Sequence, residues 1–301
     1  MNKMYSAGAI TMDGPIIVRP EFEVSDLKKA EIGSIARPLS MVERVSNINA
    51  VRKFTILLVI VAMWQAYTVI GDVEPLMFPT FTSTIVALYD SLVHGDLLMK
   101  IWTSVEVLVM GYAVGLGLAA VLTMFAVSTR IGSDFLSTVT SMFNPLPAIA
   151  LLPLAMLWFG LGTGSLIFVL IHSVLWAVAL NTHSGFLAVS ETQRMVGRNY
   201  GLTGVRYVAK ILIPAAFPSI LTGMKIGWAF AWRTLIAAEL VFGANQGSGG
   251  LGWYIFLNKN ELQTAHVFAG LFTVILVGVL VENVIFRNIE QKTVNKWGMQ
   301  R

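Results

Sequence analysis

The sequence predicts an all-α membrane protein with six transmembrane helices and both termini in the cytoplasm. Three observations carry that prediction. Apolar side chains make up 55 % of the 301 residues and charged ones only 13 %, with a mean hydropathy of +0.71. A soluble domain carries about a quarter charged residues. Six apolar runs approach or exceed the roughly 20 residues that cross a bilayer: 54–71, 101–127, 135–159, 165–185, 216–242 and 264–286. Finally, the basic residues outside these runs fall on one side. Eight precede residue 54, one is Arg130, four are Arg194, Arg198, Arg206 and Lys210, and four follow the sixth run, whereas the alternate connections hold only Lys100 and Lys259. That positive-inside asymmetry sets the orientation, and Tyr67, Trp102, Trp158, Trp253 and Tyr254 are then predicted at the outer ends of their spans, in the headgroup layer. Three regions follow: a cytoplasmic tail over 1–53, a transmembrane domain over 54–286 and a short cytoplasmic tail over 287–301.

The absence of cysteine excludes disulfide frameworks, thiolate metal sites and cysteine nucleophiles. The net charge of +4 is accounted for by topology, so nucleic acid is not an expected partner. In the first region, Asp13, Gly14, Pro15 and Pro20 interrupt any apolar run, which excludes a cleavable signal peptide. Met41, Val42, Val45 and Ile48 share one helical face opposite Glu43, Arg44 and Asn47; this fits a short helix lying on the inner leaflet, or equally a frayed extension. Between spans one and two, Ser83 to Val93 reads as a surface helix.

Span two carries Gly111, Gly115 and Ala119 at intervals of four, a small-residue stripe on which helix backbones approach closely. Gly115, Gly117 and Ala120 imitate a dinucleotide fingerprint, but inside a spanning helix with no preceding strand the phosphate cradle has no context. Span three contains Asn144-Pro145-Leu146-Pro147 and then Pro153. Each interior proline deletes a donor and crowds the carbonyl four residues earlier, so this helix bends or breaks. Either it lines a translocation path, with Asn144 hydrogen-bonding a solute and Pro147 shaping the wall, or the kink serves packing alone. Ionisable groups at membrane depth are Glu106, Lys225, Arg233, Glu239 and Glu282, and such groups face cavities or pair. Two cations along span five favour an anionic solute, with Arg233 and Glu239 as path residues. The alternatives are snorkelling of Lys225, Glu239 and Glu282 to the surfaces and an Arg233–Glu106 pair. No catalytic or metal-ligating constellation emerges: His172 and His183 are too far apart along a helix to share a metal, and no P-loop occurs.

Spans four and five are separated by a long basic loop over 186–215, and length without a packing need points to function. Ser190-Glu191-Thr192-Gln193 has capping-box spacing, Gly201 can end the helix in left-handed geometry, and Thr203 can cap a second helix with Val205, Val208, Ala209 and Leu212 on its apolar side. The pattern predicts a helix, glycine turn, helix knob, with Pro214 and Pro218 opening span five.

This loop resembles the signature of ABC importer permeases: Glu-Ala-Ala, three residues, Gly, nine residues, Ile, any, Leu, Pro. Met195, Val196 and Gly197 stand at the first three positions, Gly201 at the glycine, and Ile211, Ile213 and Pro214 at the end, with both spacings kept and the acidic start and alanines replaced. Pro147-Ala-Ile-Ala-Leu-Leu-Pro153, Leu157-Trp-Phe-Gly160, Ala237-Ala-Glu239 and Gly249-Gly-Leu-Gly252 are similar to the branch that imports nitrate, bicarbonate, taurine and other sulfonates. The resemblance runs from about 54 to 286. It implies a type I importer fold in the bacterial inner membrane, with a second permease copy and two ATP-binding subunits. It further implies a periplasmic or lipid-anchored solute-binding protein that delivers a small, anionic solute. The docking segment carried over is Gly197, Arg198, Asn199, Tyr200, Gly201, Leu202 and Thr203. The chain itself is then no enzyme and binds no cofactor, ATP and Mg being used by the partner ATPase. An ion-coupled secondary transporter is the rival reading, since broken helices and midplane charges serve that function too.

Overall fold

The computed structural model describes residues 47–242 and 249–298, and the regular structure within them is helical. The chain divides into two compact units, Met1–Leu58 and Val59–Arg301. In the first, the described part is the start of α1 (Asn49–Ile70), where Arg52 Nη2 donates to Asn49 Oδ1 at 2.6 Å and Thr55 Oγ1 to the Val51 carbonyl at 3.0 Å. Most of the predicted Met41–Ile48 face lies outside the described residues.

In the second unit α1 continues to Ile70 and is followed by α2 (Phe81–Val93), α3 (Leu97–Ser128), α4 (Arg130–Phe143), α5 (Leu152–Phe159) and α6 (Thr163–Leu187). Then come α7 (Glu191–Asn199), α8 (Gly204–Tyr207), α9 (Ile213–Phe242), α10 (Leu251–Asn260), α11 (Thr264–Leu280) and α12 (Arg287–Glu290). Five runs are long and apolar enough to cross a membrane, and the α4–α5 pair, bent by 85°, makes a sixth when counted as one broken span. The predicted surface helix is α2, started by Thr80, whose hydroxyl accepts the Ser83 N–H at 3.0 Å. An aromatic cluster of Trp64, Phe78, Phe81 and Phe268 fastens α1, α2 and α11, with Trp64 Nε1 donating to the Pro79 carbonyl at 3.0 Å.

The centre of the bundle is α6, packed against α3 on one side and α9 on the other. The stripe on α3 makes this possible. A methyl on Gly111 would fall 2.6 Å from Leu170 Cβ, and one on Gly115 would fall 2.8 Å from Val174 Cβ, so α3 and α6 lie closer than any larger residue permits. Leu108, Leu170, Val174 and Leu235 fill the layer these backbones enclose and are buried.

Three segments differ from the sequence expectation. The second helix of the knob does not stop before span five: α8 continues through a π turn, Val208–Leu212, directly into α9. The wider turn, with Ile213 N–H bonded to the Val208 carbonyl, eases the approach of Pro214 and Pro218, whose missing donors and rings disfavour a regular α register there. The chain after span six is also helical, through Asn295. Val294 and Phe286 are buried with Leu221 of α9, and Trp297 meets Phe217 at 5.6 Å, so apolar spacing keeps the last turns docked. Lastly, α10 was not anticipated: ten residues fall short of a span, and Trp253 and Tyr254 lie on this helix and not at the ends of crossings.

Candidate functional site

The break in span three creates the principal cleft. Pro145 and Pro147 lack backbone donors, α4 ends at Phe143, and Leu146 N–H turns back to the Phe143 carbonyl at 3.1 Å. A short 3₁₀ turn, Ala148–Leu151, leads into α5, where Pro153 is the second residue, a position at which a missing N–H costs nothing. Pro153 therefore starts a helix here and does not break one. Gly160, at φ +74°, reverses the chain, and Ser165 Oγ closes the hairpin by donating to the carbonyls of Gly160 and Ala155 at 2.6 and 3.0 Å.

Between this hairpin, α6 and α9 lies a cleft of about 370 Å³ lined by Asn144, Pro147, His172, Trp176, Arg233 and Thr234, among others. The structure thus brings together three residues predicted on the path, Asn144, Pro147 and Arg233. Arg233 is exposed to the cleft, its Cζ stands 5.9 Å from the centre of the Phe230 ring, and no carboxylate among the described residues pairs with it. The alternative partner, Glu106, is exposed on α3 and forms no ion pair among those residues. Lys225 does not join Arg233 as a second path cation; it donates to Glu290 at 2.6 Å and ties α9 to α12.

Glu239, expected on the same path, is buried away from this cleft. Its carboxylate accepts Ser104 Oγ at 2.8 and 2.9 Å and the Gly252 N–H at 2.8 Å, while Ser104 Oγ also accepts the Leu251 N–H at 2.8 Å. One acid and one hydroxyl thus satisfy the first donors of α10 and bind it to α3 and α9. A Cβ on Gly250 would collide with the Ser104 hydroxyl and the Glu239 carboxylate, and one on Gly252 would lie 2.6 Å from the Ile236 carbonyl oxygen. The Gly249–Gly252 and Ala237–Glu239 segments are two halves of one clamp.

The knob follows its predicted start and turn. Ser190 Oγ accepts the Gln193 N–H at 3.4 Å, and the Gln193 side chain accepts from the Ser190 hydroxyl rather than returning a bond to the backbone. Gly201, at φ +68°, ends α7; the Leu202 N–H reaches the Gly197 carbonyl at 3.1 Å, and the Gly201 N–H reaches the Arg198 carbonyl at 2.9 Å. Gly197 is buried against Tyr207 and Ile211, so the helix sits flush on the π turn. Thr203 starts α8 without a side-chain bond, and Gly204 is also left-handed at φ +55°. Val208 and Leu212 are buried as predicted, whereas Val205 and Ala209 are exposed. With Met195, Val196 and Tyr200 (82 % exposed), Val205 gives the knob an uncovered apolar surface. Arg194, one of the basic residues counted toward orientation, turns inward to donate to the Phe186 and Val189 carbonyls at 2.6 and 3.1 Å, closing the end of α6.

Sequence reasoning gave no site role to His172 and Trp176. Both ring nitrogens of His172 and Nε1 of Trp176 are buried without a hydrogen-bond partner in the structure, a condition that costs about 1–3 kcal/mol per group. Phe143, the last residue of α4, stacks on Trp176 with ring centres 5.5 Å apart and a 14° interplanar angle, and meets His172 edge-on at 6.5 Å.

The family described as binding-protein-dependent transport system inner membrane component matches residues 111–295. The chain belongs to this family. The permease is 28 % identical over 239 residues to a putative aliphatic sulfonates transport permease protein of Bacillus subtilis, covering 79 % of this chain and 84 % of that one. It is 30 % identical over 224 residues to the corresponding Escherichia coli protein, covering 74 % and 83 %. A nitrate import permease protein of Synechocystis is 32 % identical over 178 residues, covering 58 % and 63 %. The expected placement in the nitrate, sulfonate and taurine branch holds, as does the all-α, multi-pass inner-membrane architecture. The match includes the break, the knob, α9 and the Glu239 and Gly249–Gly252 parts of the clamp, leaving α1, α2 and the start of α3, with Ser104, outside it.

Proposed function

We propose that this permease is the membrane-spanning subunit of an ATP-driven importer and that two copies enclose the path of a small anionic solute. The observation that carries the reading is the knob: α7 ended by Gly201 in left-handed geometry, with Tyr200 and Val205 exposed, and then α8, which runs without a loop into the spanning helix that bears Arg233. An apolar projection rigidly continuous with a span suits a lever. A separate ATPase that closes on nucleotide moves the knobs of two copies, and α9 carries the motion to the cleft. Gly197 to Thr203 is the docking segment within the loop 186–215, residues 1–53 and 287–301 lie in the cytoplasm, and residues 54–286 hold the path. The solute arrives from a separate binding protein. Arg233 as the cleft's cation, with no carboxylate in the lining, suits an oxyanion. The relatives named for sulfonates, taurine and nitrate support the same class.

Gly201→Pro tests the lever, because proline cannot adopt positive φ. The variant is expected to reach the membrane in normal amount, to lose the ATPase that co-purifies with the native chain and to lose uptake. Normal uptake by Gly201→Pro sinks the docking segment. Uptake that persists without any ATPase and collapses with a protonophore would put an ion-coupled transporter in its place.

A further inference from the structure

Six buried side-chain polar atoms lack a partner among the described residues, and three belong to His172 and Trp176, both of which line the Arg233 cleft. Trp176 is 9 % exposed. A fourth, Thr140 Oγ1, lies one turn before the break on α4. Buried donors are almost always paired in native proteins, so a concentration of unpaired ones beside a cleft marks groups whose partner arrives from elsewhere. Phe143 packs on two of these residues. Its ring stacks on Trp176 and abuts His172, and it is the final residue of α4, immediately before the Asn144–Pro147 break. A swing of α4 about this 85° bend moves that ring. Pro145, Leu146, Ile149 and Phe230 give the cleft an apolar wall beside the polar Asn144, Ser173 and Thr234, and about 370 Å³ is the size of a site for an organic molecule rather than for an inorganic ion.

We propose that Phe143 is a gate over a solute-binding pair, Trp176 and His172, which together with Arg233 takes the head of an organic oxyanion, a sulfonate or carboxylate, while the apolar wall takes its tail. This rests on reading the cleft as the solute path. When α4 swings about the break, Phe143 leaves Trp176, and the indole N–H and one imidazole N–H donate to the oxyanion beside the guanidinium. With the gate closed, the same donors are withheld from solute, so a path with one cation does not leak anions.

The full chain in lipid nanodiscs, with its tryptophans replaced by 5-fluorotryptophan, tests this by fluorine NMR, the Trp176 signal being assigned by its loss in Trp176→Phe. Propanesulfonate is the probe and propyltrimethylammonium the control. A trifluoromethyl label on Ala237→Cys, in a chain without other cysteines, reports independently whether the anion occupies the cleft. The expected result is that propanesulfonate, and not the ammonium compound, shifts the Trp176 signal, at a concentration at least tenfold lower in Phe143→Ala than in the native chain. Phe143→Leu serves should Phe143→Ala not fold. If the label at 237 responds to propanesulfonate while Trp176 stays unmoved in both native and gate-variant chains, the proposal is overturned and the path reading stands. If neither responds in either chain, both fall.

Discussion

Ser104 occupies a position that deletion of one oxygen would expose. Its hydroxyl donates to Glu239 and accepts from Leu251 N–H, so Ser104→Ala leaves a buried backbone donor without a partner and Glu239 with Gly252 alone. The expected loss is about 1–3 kcal/mol, read as a lowered midpoint of thermal unfolding in detergent. Ser128→Ala is the control: among the described residues that exposed hydroxyl bonds only the Met124 carbonyl of its own helix, and no measurable shift is expected. Gly250→Ala places a methyl group on the same two side chains and is expected to destabilise at least as much. A Gly250→Ala protein with native stability would mean that α10 is not held by this clamp. The same network explains why an acid at membrane depth is tolerated in this chain. Three hydrogen bonds from two donors replace its hydration and tie α10 to α3 and α9.

At the scale of elements, the break between α4 and α5 and the turn after α7 were legible in the sequence because each depends on single residues with strong local preferences. Pro145 and Pro147 cannot continue a helix, and Gly201 can adopt a conformation that other residues resist. What the sequence did not show depends on distance along the chain. Ser104 and Glu239 meet across 135 positions, and the unpaired state of His172 and Trp176 depends on what packs on that face of α6, Phe143 of α4 among it. Lys225 read either as a second cation of span five or as snorkelling to the inner surface, because its partner Glu290 lies 65 residues later, beyond any helical register. The break itself yields a prediction. Pro145→Ala with Pro147→Ala restores two donors and lets α4 propagate toward α5, straightening the bend and withdrawing Asn144 from the cleft. Membrane insertion is expected to be kept, uptake to fall at least tenfold, and the thiol of Ala237→Cys to react more slowly with a sulfonate-bearing methanethiosulfonate reagent. Unchanged uptake in the doubly substituted chain would make the bend a packing feature.

For the whole molecule, orientation and docking can be tested on one scaffold, since the chain has no cysteine and every introduced thiol is unique. The 30 residues of α9 extend about 45 Å at 1.5 Å per residue, enough to traverse a bilayer. Its start adjoins α7 and α8, while Glu239 near its end is bonded to Ser104 near the start of α3. His94, just before α3, and Tyr200, just after α7, therefore sit at opposite ends of the bundle, both exposed. Arg194, Arg198, Arg206 and Lys210 belong to the Tyr200 end, which by the positive-inside rule is the end expected in the cytoplasm. A membrane-impermeant maleimide is expected to label His94→Cys in intact cells and Tyr200→Cys only after permeabilisation. Labelling in the reverse order would overturn the orientation and, with it, the possibility that a cytoplasmic ATPase reaches the knob. Adding the co-purifying ATPase to permeabilised membranes is expected to slow labelling of Tyr200→Cys severalfold and to leave His94→Cys unaffected. If both thiols react at the same rate with and without the ATPase, the orientation stands while the exposed apolar surface of the knob must be covered by something else, with the inner leaflet reached through Arg198, Arg206 and Lys210 as the next occupant to test.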